Sequence, residues 1–92
     1  MALVIRQQTG DRKGEIRDLL NIGNLQRISE EFDQAIETAG RVLEIARKGE
    51  YQRDRALALA ALGLAYQRRG NLDKALTFQD QAIRIAESLS DP

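Results

Sequence analysis

Slid against itself by forty residues, the sequence matches at positions that also recur with helical spacing. Leu19 meets Leu59, Ile22 meets Leu62, Gly23 meets Gly63, Asp33 meets Asp73, Ala35 meets Ala75, Ile45 meets Ile85 and Ala46 meets Ala86. A self-match at one fixed offset means that a supersecondary unit is used more than once, and such units bury their apolar faces against their neighbours. Applied backwards, the offset lays Leu3 on Leu43 and Ile5 on Ile45, so "ALVIRQQ" reads as the end of a preceding helix or as a capping segment. Forwards, "LSDP" occupies the place of "TGDR" at 9–12, where a further unit would start. The expected organisation is a flanking segment at 1–9, one repeat at 10–49 and a second at 50–90.

Each repeat reads as two helices. Pro92 is the only proline, and Ala, Leu, Arg, Gln, Glu and Ile dominate between the glycines, with little β-branched alternation. The pattern predicts helices over 12–28, 33–48, 53–69 and 73–89, punctuated by Gly10-Asp11, Ser29-Glu30-Glu31, Gly49-Glu50 and Gly70-Asn71. Gly70 suits the left-handed position that ends a helix, and Asp73 is placed to accept amide hydrogen bonds at the start of the next. Connections this short force neighbouring helices to run antiparallel. Gly23 and Gly63 fall inside predicted helices, where glycine costs roughly 1 kcal/mol against alanine. A close approach to the second helix of each unit, at the small residues Ala35 and Ala75, accounts for them.

The second unit, Leu59-x2-Leu62-Gly63-x2-Tyr66 followed by Ala75, Gln79 and Ala82, resembles a tetratricopeptide repeat at that family's spacings. Unit one follows more loosely through Leu19, Ile22, Gly23, Gln26, Ala35, Ala39 and Val42. Two features depart from the family pattern: the period is about forty rather than thirty-four residues, and Arg47 and Glu87 stand where the late-helix proline belongs. Both departures, with the "GDRKGE" opening and "LLNIGN", resemble the longer-helix subclass of Leu-Gly-Asn-repeat adaptors and kinesin light chains. The resemblance covers residues 10 to 90. It implies an all-α, right-handed α-solenoid of antiparallel helix pairs, with two full repeats and a partial flanking helix.

Composition narrows the chemistry. The 92 residues contain no His and no Cys, which removes the commonest general base, the thiol nucleophile and the soft metal ligands. Glu30-Glu31 are sequence neighbours and cannot converge on one bond as a paired acid and base would. The remaining carboxylates lack metal-ligand spacing, and no glycine-rich phosphate loop follows a strand. Arg68-Arg69 and Arg53/Arg55 make small basic spots beside Asp54 and Asp73 that read as a solvated face. Neither enzymatic activity nor a cofactor, metal or small-molecule substrate is expected. Fourteen basic and fourteen acidic side chains balance, so no positive field favours nucleic acid. The longest apolar run, Ala56 to Tyr66, falls far short of the ~20 residues that span a bilayer. The "ALVI" near the start has no basic segment before it and no cleavage signature, and a cytoplasmic location is expected.

What remains is surface recognition. On the first helix of each unit, Leu19, Ile22, Gly23 and Gln26, and equally Leu59, Leu62, Gly63 and Tyr66, share a face expected to pack on the unit's own second helix. The opposite face carries Arg17, Leu20, Asn21, Asn24, Arg27 and Ile28 in unit one, and Leu57, Ala60, Ala61, Leu64, Gln67 and Arg68 in unit two. The resemblance implies that this face lines a concave groove taking extended or helical segments of partner proteins. It further implies that Asn21 and Asn24 contact the ligand, and an amide there offers both donor and acceptor to a peptide backbone. Unit two has Ala61 and Leu64 instead, which removes the match to a carboxylate clamp and leaves an apolar wall of Leu57, Ala60 and Leu64. Arg17, Leu20, Asn21, Asn24, Leu57, Ala60, Leu64 and Gln67 are therefore the expected peptide-binding residues. A second surface is expected on the last helix, where Phe78, Ala82, Ile85 and Leu89 form a stripe facing a unit that is not present. Self-association into a homo-oligomer, cover from Leu3, Val4 and Ile5, or a further unit of a longer array would remove it from water.

Overall fold

The computed structural model describes residues 11–90, which form four helices: α1 (Arg12–Ile28), α2 (Phe32–Lys48), α3 (Gln52–Arg69) and α4 (Leu72–Ser90). No strand occurs among the described residues, and each helix packs on its sequence neighbours. The expected helices are all present, with ends shifted by a residue at most. The expectations resting on Leu3, Val4 and Ile5 lie outside the described residues.

All three turns end their helices in the same way. The amides of Glu31, Tyr51 and Asn71 donate to the carbonyls of Gln26, Ala46 and Tyr66, five residues back. The amides of Glu30, Glu50 and Gly70 donate to those of Arg27, Arg47 and Gln67. This paired pattern satisfies the last carbonyls of a helix and needs a left-handed residue at its centre. Gly70 supplies it at φ 95°, as expected, but in the other two turns Glu30 (φ 64°) and Glu50 (φ 57°) take that conformation. Gly49 is not left-handed; a Cβ there would lie 2.5 Å from the Tyr51 ring, which folds back over it. At the helix starts, Asp11 Oδ1 accepts from the Gly14 amide at 3.0 Å and Asn71 Oδ1 from the Lys74 amide at 3.3 Å. Asn71, not Asp73, is thus the cap of α4.

Helix contact depends on small residues. Seven of the eleven buried apolar residues are alanines, at 35, 39, 46, 58, 65, 75 and 82, which lets the axes approach closely. Ile16, Val42, Ala46 and Ala58 form one cluster drawn from α1, α2 and α3, with Leu19, Leu20, Leu43, Ile45 and Tyr51 packed on it. Gly63 lies against α4 as expected, since a Cβ there would come 3.2 Å from the Ala75 carbonyl and 2.6 Å from Gln79 Cγ. At Gly23 the nearest atom is Thr38 Cγ2 at 3.4 Å, an ordinary contact. One pair of repeat positions carries two chemistries. Thr38 Oγ1 donates to Gln26 Oε1 at 2.7 Å in unit one, while in unit two the Tyr66 and Phe78 rings stack there, centroids 5.6 Å apart. Between units, Arg69 of α3 pairs with Asp33 of α2 at 2.7 Å.

Two expectations about faces need correction. Ile22 was expected against α2 but is 47% exposed, whereas its counterpart Leu62 is 5% exposed. The reason is that α3 is flanked by both α2 and α4, while α1 has extensive contact with α2 only. Phe78, Ala82 and Ile85 were expected to face an absent unit. Instead Ala82 is buried, Phe78 stacks on Tyr66 of α3, and Ile85 is partly buried, leaving only Leu89 exposed at the helix end. Since α4 packs on α3 alone among the described helices, α3 covers this stripe. The open apolar row of α4 is Leu72, Leu76 and Ile83, a third of a turn away.

Candidate functional site

The first helix of each unit, α1 and α3, flanks a groove whose floor is α2. Its deepest part is a cavity of about 350 Å³. Leu19, Leu20, Asn21, Gly23, Asn24 and Arg27 line it from α1, Ala35, Ala39 and Val42 from α2, and Leu57, Ala60, Ala61 and Leu64 from α3. Helical spacing explains the two walls. Asn21, Asn24 and Arg27 follow at three-residue intervals along α1, and Leu57, Ala60, Ala61 and Leu64 at i, i+3, i+4 and i+7 along α3. The floor is built of small residues because α2 runs between the two first helices and contacts both.

The α1 wall sets the polar groups of Asn21, Asn24 and Arg27 beside Leu19 and Leu20, while the α3 wall is apolar throughout. The Arg27 guanidinium donates to Asn24 Oδ1, holding amide and cation side by side on the α1 rim. Asn21 and Asn24 are both exposed, and among the described residues no side-chain partner other than Arg27 is seen for either amide. Across the cavity, Leu57 and Leu64 are exposed although large and apolar. An arrangement of this kind binds by hydrogen-bonding a backbone on one side and covering an apolar side chain on the other. At the end of the groove the Lys13 ammonium ties α1 to α3, pairing with Asp54 and lying 4.8 Å from the Tyr51 ring centroid.

Six of the eight expected residues, Leu20, Asn21, Asn24, Leu57, Ala60 and Leu64, line the one cavity. Arg17 lines an adjoining recess with Leu20, Asn21, Asp54 and Leu57. Gln67 does not join them; its Oε1 accepts from Gln79 Nε2 of α4 at 3.3 Å, which turns it to the other side of α3. Sequence reasoning missed the floor, Ala35, Ala39 and Val42. Ala35 reads from sequence as a packing position and Ala39 and Val42 only as repeat-pattern matches, and a small residue in a helix gives no sign of whether a partner side chain or a cleft lies above it.

Among the described residues there is no group of His, Cys, Asp or Glu able to hold a metal ion, and no helix is long and apolar enough to cross a membrane. In comparisons with known proteins, the model of a family described as "Tetratricopeptide repeat" matches residues 15–88. Comparison with curated proteins and with solved structures gave no significant match.

Proposed function

Because the chain belongs to the tetratricopeptide-repeat family, whose members generally serve as protein–protein interaction modules, we propose that it binds a peptide or partner helix in the groove between α1 and α3. The observation that carries this reading is the two-sided wall: Asn21, Asn24 and Arg27 opposite Leu57 and Leu64 across one cavity. The preferred ligand is a segment that offers backbone or acidic acceptors toward α1 and an aliphatic side chain toward α3. Asparagines at 21 and 24 suit the longer-repeat subclass, and in this proposal they contact the peptide main chain. The module has no catalytic role.

Peptide display on the 92-residue chain tests it. Peptides selected on the wild type should bind Asn24→Ala and Leu64→Asp at least about five-fold more weakly, as expected for central contacts worth more than ~1 kcal/mol. Asp80→Ala, on the outer surface of α4, should bind them equally well. Full retention by both groove variants would reject the groove as the site.

A second reading is favoured by a different observation. Leu72, Leu76 and Ile83 are 61%, 65% and 56% exposed on one row of α4, and grouped exposed apolar side chains are a feature of association surfaces. In this reading the chain self-associates through that row.

A further inference from the structure

The chain contains a worked example of what covers the open row of α4. Forty residues earlier the same positions are Phe32, Ile36 and Leu43 of α2, and every one of them is partly buried. Because α2 lies between α1 and α3 whereas α4 has only α3 among the described helices, the difference is the following first helix. The face of α3 that meets α2 and α4 includes Leu62 and Ala65, which are 5% and 1% exposed. Their counterparts on α1 are Ile22 and Leu25, which are 47% and 64% exposed. Among the described helices, α1 and α4 therefore each present one half of the joint that α2 and α3 have already made.

Resting on the self-association reading, we infer that copies of this chain stack head to tail. Leu72, Leu76 and Ile83 of one copy pack against Ile22 and Leu25 on α1 of the next, repeating the α2–α3 joint between molecules. The contact is heterologous, so nothing stops it at two copies and the product is an open stack. The formal net charge of zero leaves no general repulsion against such growth. None of these five residues lines the cavity, so stacking leaves the groove free to bind. One element of the joint is missing. The internal joint carries the Arg69–Asp33 ion pair, but Ser29, just after α1, holds the place that Arg69 has on α3, opposite the Asp73 that corresponds to Asp33.

Sedimentation equilibrium on the full 92-residue chain tests the inference, with helicity by circular dichroism as the check on folding. The wild-type mass should rise with concentration beyond that of a dimer. Leu25→Asp spoils only the α1 face and Leu76→Asp only the α4 face; each alone should weaken association by about ten-fold or more, since a carboxylate would be buried unpaired. Mixed in equal amounts, they retain one good α4 face and one good α1 face between them, and should form a one-to-one heterodimer that grows no further. Ile22→Lys with Ile83→Lys is an independent pair for the same experiment. A wild type that is monomeric at every concentration overturns both the self-association reading and the joint. A wild type that associates while the mixed variants stay monomeric, or while either variant associates undiminished, leaves self-association standing and overturns the head-to-tail joint.

Discussion

Gly23 and Gly63 occupy the same repeat position, yet they respond to different surroundings. An alanine at 63 meets the Ala75 carbonyl and Gln79 Cγ, so the helix–helix distance must open; an alanine at 23 meets only Thr38 Cγ2 at normal contact. Gly63→Ala is therefore expected to lose about 1–3 kcal/mol through overpacking, whereas Gly23→Ala should be neutral or gain up to ~1 kcal/mol from helix propensity. Urea unfolding of both variants checks the opposite signs. The turns make a second contrast. Glu30 and Glu50 hold left-handed backbones that Gly70 adopts without strain. Replacing Glu50 by Gly should stabilise the chain by about 1 kcal/mol, and Gly70→Ala should cost a similar amount. A fall in melting temperature for Glu50→Gly would mean that its side chain, not its backbone, matters.

At the scale of the helices, position in the row decides how much each element contributes. Helix α3 is covered on two sides, and Ala58, Leu59, Leu62, Gly63 and Ala65 are all buried, while α4 buries only Ala75 and Ala82. Amide hydrogen exchange should accordingly be slowest in α3 and fastest toward the end of α4, because local opening follows buried contact. The same logic separates two apolar truncations. Ile16→Ala removes a side chain from the three-helix cluster and should cost about 2–5 kcal/mol. Leu76→Ala, on an exposed row, should stay within about 0.5 kcal/mol when measured on dilute protein. Equal costs would place Leu76 in a contact that the isolated chain does not make.

As a whole, the molecule is a thin layer, with principal extents of 39 × 39 × 16 Å. A layer this thin has no deep interior, which is why its buried apolar residues are mostly alanine and its largest wholly buried side chains are Ile16 and Val42. Stability in such an array is a sum of helix pairs and the joints between them. The Asp33–Arg69 pair lies at the joint between the two described units, on the surface, and should contribute no more than ~1 kcal/mol, fading as salt rises. Arg69→Gln should therefore destabilise the chain slightly at low ionic strength and leave it unchanged in 1 M salt. Loss of folding in that variant would show that the joint depends on the charge rather than on the alanine contacts beside it.

The sequence by itself was enough for the helices, their ends, the forty-residue period and the approach of Gly63 to Ala75. Each of these follows from local propensity or from spacing along one chain. It also placed Asn21, Asn24, Leu57 and Leu64 on faces that meet over a single cavity, because helical periodicity transmits register across a whole element. It misjudged features that depend on neighbours in space: the exposure of Ile22, the turn of Gln67 toward Gln79, and the stripe of α4 that stays open. A helical stripe is apolar whether it faces its own partner helix or an empty place in the array. Only the tertiary arrangement, with α3 flanked on both sides and α1 and α4 at the ends, decided that α3 covers Phe78 and Ala82 and that Leu72, Leu76 and Ile83 stay exposed.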